Sequence, residues 1–200
     1  MPQSLCKIYL HVIFHIKTTS PAIHEEHLKR LHSYIGQLVN STGCQVIRTG
    51  GVSDHVHILC LLSRNETVAH LVEEVKRNSS RWIKTLGDYY RMFEWQGGYA
   101  AFSVSESVLQ KTLDYVNNQK QHHKQTSFHD EYLRFLKLYH VQYDERYVFS
   151  DWRFWAFALS GRALIIAITQ GAALGCEFVG LSGRFWRNRL THKFIRQKYN

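Results

Sequence analysis

From Leu5 to Lys17 the side chains alternate in a way that permits little besides a two-faced strand. Ile8, Leu10, Val12, Phe14 and Ile16 fall on one side, and Tyr9, His11, Ile13, His15 and Lys17 on the other. Successive strand side chains point to opposite faces, so the apolar back requires a core while the front carries imidazoles and a cation. Whatever the chain folds into must cover one face of this strand with apolar partners and put the other to different use.

The order of periods that follows sets the expected architecture. Pro21 breaks the first strand, and Leu28, Leu31, Ile35 and Leu38 recur at helical spacing from His24 to about Val39. Ser41-Thr42-Gly43 ends that helix, Cys44 to Arg48 forms a short second strand, and Gly50-Gly51 reads as a hairpin turn into a third. Thr67 is a plausible N-cap for a helix with Val68, Leu71, Val72 and Val75 as its stripe. Asp88 to Gly98 has no clear period and reads as a loop, and Tyr99 to Val104 is a fourth strand. Ser105 caps a helix from about Glu106 to Lys124, a further helix runs from about Asp130 to His140, and Tyr143 to Phe149 closes the domain. Strand–helix–strand–strand–helix–strand–helix is an α+β order, a ferredoxin-like βαββαβ sandwich with added C-terminal helices.

The third strand carries His55-Val56-His57. Its two imidazoles project to one side, with Val56, Ile58 and Cys60 on the other, and such a pair on a rigid strand is half of a divalent-metal site. The ordinary alternative is that they hydrogen-bond within the fold. Of the 13 histidines in 200 residues, twelve precede residue 150.

A second stretch changes character inside its helix. Lys76, Arg77, Arg81 and Lys84 cluster with Ser79, Ser80 and Trp82. Cations and hydroxyl donors suit a phosphate backbone, and an aromatic can stack on an unpaired base. A solvated basic helix end, favoured by the helix dipole, accounts for the same residues.

Charge is uneven along the chain. The formal net charge is +9, but residues 1–150 carry 17 Lys+Arg against 14 Asp+Glu, whereas residues 151–200 carry 8 against 2. Two units are therefore expected, a main domain over 1–149 and a basic, aromatic extension of unknown role over 150–200. Within the extension, the apolar run from Ala163 to Cys176 is too short for a confident membrane span, and Arg184 to Lys198 has the makings of a basic amphipathic helix. Cys6, Cys44, Cys60 and Cys176 form no Cys-x-x-Cys pair and no signal peptide is read, so a reducing cytoplasm is the expected compartment.

In the helix after the fourth strand, Tyr115 and Gln119 lie four residues apart and share a face, with His122 and His123 just beyond. An amide oxygen from Gln119 suits a metal, and the Tyr115 phenol suits attack on a phosphate, helped by a cation because its free pKa is about 10. A half-buried helix tyrosine with no chemical role is the competing account.

Taken together, His55-Val56-His57 as a His-hydrophobic-His motif and Tyr115…Gln119 as a Tyr-x-x-x-Gln motif resemble the single-tyrosine HUH transposases of the insertion sequence 200/605 type. Trp95 to Ser105, Tyr115 to His123 and Phe128 to Tyr132 extend the resemblance over about residues 5–149. Ala100 stands where a second glycine is expected, and the stretch after Phe149 matches nothing in that family. The resemblance implies a homodimer acting on single-stranded DNA with hairpin ends, at the nucleoid and away from membranes. It implies Mg2+ or Mn2+ held by His55, His57 and Gln119, and Tyr115 joined to the 5′ side of the cleaved strand. A domesticated endonuclease acting on repeat hairpins would share these residues. A non-catalytic nucleic-acid-binding module would instead turn Tyr115 away from His55 and His57.

Overall fold

The structure is a computed structural model that describes residues 5–144 and 148–149. The extension over 150–200, with its apolar run and basic segment, lies outside the described residues.

The elements in chain order are β1 (Tyr9–His15), α1 (Glu25–Ser41), β2 (Gln45–Gly51), β3 (His55–Leu61), α2 (Val68–Lys84), β4 (Ala100–Val104), α3 (Leu109–Asn117), α4 (Gln119–His122) and α5 (Phe128–Leu138). The four strands form one antiparallel sheet in the order β2-β3-β1-β4. This is the ferredoxin-like sandwich expected from the alternation of periods, with further helices after β4.

The two faces of β1 are used as its sequence demands. Leu10, Val12 and Phe14 meet Val56, Ile58 and Cys60 of β3, and α1 and α2 close over them with Leu31, Ile35, Val39, Leu71, Val75 and Ile83. The opposite face carries Ile13, Ala100 and Phe102, covered by Tyr132 and Leu136 of α5. His11, His15, His55 and His57 are buried on this second face, where β1 and β3 place Ile13 opposite His57 and His15 opposite His55.

Gly50 and Gly51 do not form the hairpin turn; both belong to β2, and the chain reverses over Val52–Asp54. The glycines answer to sterics instead. A Cβ on Gly50 would sit 2.4 Å from the carbonyl oxygen of Val116, so its bare backbone lets α3 settle on the sheet. Gly51 has φ +133°, a conformation costly for any residue with a Cβ.

The helix expected over Glu106 to Lys124 is broken. A 3-10 turn at Glu106–Val108 leads into α3, and Asn118 leaves helical geometry at φ −97°, ψ 16° before α4 begins. Asn118 Nδ2 donates to the carbonyl of Asp114 at 2.9 Å, a local bond that competes with helix continuation. The last helix starts at Phe128, earlier than its expected start at Asp130, because Ser127 caps it by accepting from the Asp130 N–H at 3.2 Å. Thr67 caps α2 in the same way through the His70 N–H.

Candidate metal and nucleophile site

The site is built where β3 and β1 run side by side on the α5 face. His55 and His57 are fully buried. Each has its Nδ1 engaged from behind: His55 Nδ1 donates to Asp54 Oδ1 at 2.6 Å, and His57 Nδ1 lies 2.9 Å from His11 Nε2. Burial drives the His11 pKa down to about 4, and burial together with the neighbouring imidazoles drives that of His57 well below its ordinary value, so both rings are neutral. When His57 donates Nδ1–H to His11, the lone pair is left on Nε2, which lies 3.7 Å from Glu131 Oε2.

Three side chains come to meet these lone pairs from α4, α5 and the link between them. Gln119 Oε1 lies 3.3 Å from His55 Nε2 and 3.0 Å from His123 Nε2. Glu131 Oε2 lies 3.8 Å from His55 Nε2, 3.7 Å from His57 Nε2 and 3.0 Å from His123 Nε2. The ligand atoms of His55, His57, His123 and Glu131 all fall within 4.8 Å of one another. His123 Nδ1 donates to the Thr126 carbonyl at 2.9 Å, so on that ring too the lone pair sits on Nε2. Burial, ahead of the neighbouring His55, lowers the His123 pKa and keeps it neutral, while burial pushes the Glu131 carboxyl up to about 8. His57 Nε2 and Glu131 Oε2 are both buried without a hydrogen bond.

These separations fit a common cation. Two donors each about 2.1 Å from one ion lie about 3.0 Å apart at a right angle and about 4.2 Å apart when opposed. The five pair distances of Gln119 Oε1 and Glu131 Oε2 to the histidine Nε2 atoms, 3.0 to 3.8 Å, fall in that interval. The set of imidazoles, an amide oxygen and a carboxylate suits a divalent ion.

Tyr115 stands at the edge of this cluster. Its ring packs edge-on to His57 at 5.8 Å and to His11 at 6.2 Å, and its hydroxyl is buried with no hydrogen-bond partner among the described residues. Gln119 Nε2 reaches back to the Tyr115 carbonyl at 3.4 Å, tying the two sides of the Asn118 break together. A cleft of about 410 Å3, lined by Lys111, Asp114, Tyr115, Asn118, Gln121, His122 and Gln125, opens beside the tyrosine. Tyr115 and Gln119 thus approach the histidine pair within one chain, and Tyr115 does not turn away from it.

The basic stretch of α2 lies elsewhere, on the helix that covers the other face of the sheet. Burial lowers the Lys76 pKa to about 8, and its Nζ donates to the carbonyls of Gln96 at 2.6 Å and Gly98 at 2.5 Å. Ser79 is buried, donating to the Val75 carbonyl and accepting from Trp95 Nε1. Arg77 pairs with Glu73 at 3.0 Å and with Glu74, and Ser80 Oγ donates to the Phe93 carbonyl at 3.4 Å. Arg81 and Lys84 are exposed at the end of the helix. The structure therefore does not bring these six residues together with the histidine cluster.

The sequence assigns roles to His55, His57, Tyr115 and Gln119, displays His11 and His123 without one, and does not mark out Asp54 or Glu131. The available signals were the acid directly before His55 and the second imidazole-bearing strand face.

Residues 4–119, more than half of the chain, match the protein family described as "Transposase IS200 like". None of the curated proteins matches the chain. Among solved structures, a candidate transposase from Deinococcus radiodurans R1 is 19% identical, with a TM-score of 0.47 over 60% of this chain and 98% of that one. A REP-associated tyrosine transposase bound to a REP hairpin is 10% identical, with a TM-score of 0.46 over 62% of this chain and 73% of that one. No helix among the described residues is long and apolar enough to cross a membrane.

Proposed function

The chain belongs to the IS200-like transposase family, and from that premise we propose that it cleaves and rejoins single-stranded DNA at hairpin-marked ends with Tyr115 as nucleophile. The observation that carries this reading is the Tyr115 ring packed against His57, a member of the cluster of convergent donors, with its hydroxyl buried and unpartnered among the described residues.

In the proposed reaction Tyr115 Oη forms a bond to the scissile phosphorus, and the bond from phosphorus to the 3′ oxygen breaks. The phenol loses its proton and the departing oxygen gains one, leaving a 5′-phosphotyrosine and a free 3′-OH. Because one phosphoester replaces another, the bond energy is kept for rejoining, when a 3′-OH attacks the phosphotyrosine in the reverse sense. His55, His57 and Gln119 would hold Mg2+ or Mn2+, which when bound supplies charge stabilisation at the phosphate and makes a phenol of ordinary basicity sufficient. The packing of Tyr115 against His57, His11 and Phe135 restricts its ring, so little motion has to be frozen before attack.

In this reading the substrate strand enters along the cleft bordered by Lys111 and Tyr115. The basic end of α2 contacts phosphates farther along the DNA, with Arg81 and Lys84 leading, Arg77 and Ser80 beside them, and Lys76 and Ser79 supporting the Trp95–Gly98 loop. Two copies act together as a homodimer, and residues 1–149 form the transposase domain with 150–200 as an extension to it.

The test is incubation of the protein with a labelled single-stranded hairpin DNA and Mg2+, followed by a denaturing gel. The wild-type chain yields a covalent protein–DNA adduct and Tyr115→Phe yields none; an adduct that persists in Tyr115→Phe would refute the assignment.

A further inference from the structure

Three imidazole lone pairs and two oxygens crowd together here with no more than one carboxyl proton to share among them, an arrangement that a divalent cation would resolve. His55 Nδ1 is committed to Asp54, His57 Nδ1 to His11 and His123 Nδ1 to the Thr126 carbonyl. With each ring in that tautomer, all three Nε2 atoms turn acceptor faces toward Gln119 Oε1 and Glu131 Oε2. The approach of His123 Nε2 to Glu131 Oε2, at 3.0 Å, leaves the oxygen without a hydrogen bond.

The proposed His55, His57 and Gln119 set has no negative charge. A hard divalent cation held by neutral donors alone is weakly bound, and the usual remedy is a carboxylate. Glu131 is the only carboxylate whose oxygen reaches both strand histidines among the described residues, and it is completely buried. Its other oxygen is held by Gln119 Nε2 at 3.4 Å, so the amide and the carboxylate orient each other.

We infer that Glu131 is the anionic ligand of the metal centre and His123 a further neutral one, both delivered after residue 119 by the docking of α5 on the sheet. This rests on the metal reading given above and extends it beyond the stretch that matches the family. It also gives α5 a chemical purpose: the helix that covers Ile13 and Phe102 with Tyr132 and Leu136 carries the charge of the centre on the same face.

The experiment measures Mn2+ binding by the loss of the free-ion EPR signal, on the full chain, for wild type, His57→Ala, Glu131→Gln and Glu131→Asp. Melting temperatures are recorded in parallel in EDTA. The wild type takes up one Mn2+ per chain and His57→Ala loses it. Glu131→Gln binds Mn2+ roughly 10–100-fold more weakly, the range typical for loss of a metal-site partner. Without metal it melts no lower than wild type, because the new amide N–H can donate to the waiting imidazoles. Glu131→Asp, which keeps the charge on a shorter arm, falls between. Wild-type Mn2+ binding retained unchanged in Glu131→Gln, with a lowered melting temperature in EDTA, would make Glu131 a structural residue and overturn this assignment alone. A wild-type chain that takes up no Mn2+ would overturn the metal reading itself.

Discussion

His11 Nε2 and His57 Nδ1 sit 2.9 Å apart across the β1–β3 pair, both rings buried and stacked with their planes 24° apart. One histidine thereby decides which nitrogen of the other is offered to the site. Replacing the first, His11→Leu, stays close to its volume but strands the His57 N–H. The expected cost is about 1–3 kcal/mol for a buried donor without an acceptor, together with roughly 10–100-fold weaker Mn2+ binding. Urea unfolding and Mn2+ titration on the same variant check both; unchanged Mn2+ affinity would remove His11 from the site.

The same burial gives stability two opposed dependences on pH, one from the histidines and one from Glu131. His11 and His32 have folded pKa values of about 4, held down first by burial. In the unfolded chain both titrate near 6.5, so between about 4 and 6.5 the unfolded state binds more protons than the folded one. These two histidines therefore make stability rise with pH across that window, by up to about 1.4 kcal/mol per pH unit each, whereas the buried Glu131 carboxyl, raised to about 8, makes it fall with a comparable slope between about 4.5 and 8. Urea midpoints of the Glu131→Gln chain in EDTA at pH 7.5, 6.5 and 5.5 measure the histidine contribution, because that substitution removes the opposing carboxyl. A midpoint that held constant or increased on acidification would contradict the burial of these rings.

Gly50 separates the nucleophile from the metal ligands in a testable way. Gly50→Ala pushes a methyl against the Val116 carbonyl, one residue from Tyr115. Overpacking of this kind costs about 1–3 kcal/mol. The larger effect is expected in adduct formation, which should fall at least tenfold while Mn2+ binding by the strand histidines is retained. Equal losses in both assays would mean that α3 and the histidine cluster move as one body.

His57→Ala removes a neutral donor and one of the rings packed against Tyr115, leaving the phenol itself in place. Cleavage in Mg2+ should be lost, with partial recovery at high Mn2+ if the remaining ligands still hold an ion. Full cleavage in EDTA by the wild-type chain would show that the phenol needs no cation.

Arg81→Ala combined with Lys84→Ala tests the remote DNA contact. Each phosphate contact to single-stranded DNA contributes about 0.7 to the slope of log affinity against log salt. The double variant should bind more weakly and lose roughly 1.4 from that slope, while adduct yield at saturating DNA stays the same. An unaltered slope would move the DNA off this end of α2.

Much of this architecture could be read from period alone. The alternation along β1 and β3 announced both faces of the sheet, and it put His11, His15, His55 and His57 on the correct one. What escaped was whatever depends on a distant element arriving. Glu131 sits in a run with His129 and Asp130 that reads as an ordinary polar helix start; only the docking of α5 on Phe102 and Ile13 buries it completely. Gly50-Gly51 reads as a turn because glycine pairs usually are, whereas here the reason is the close passage of Val116. The break at Asn118 was hidden because Tyr115 and Gln119 keep the spacing of an unbroken helix. Ser79 read as a phosphate contact and proves to be the partner of Trp95, since a hydroxyl gives no hint of which way its helix faces.

Strand β3 alternates without interruption between Val56, Ile58 and Cys60 beneath and His55 and His57 above. Side chains repeat every second residue, so an insertion or deletion of a single codon ahead of His55 that shifted the pairing by one would turn both imidazoles into the oily layer and Val56, Ile58 and Cys60 out of it. Descendants of this gene can accordingly exchange individual aliphatics along β3 at modest cost. They cannot change the number of residues between Gly51 and His55 by one without inverting the strand, and the length of that short reversal should prove more constant than its composition.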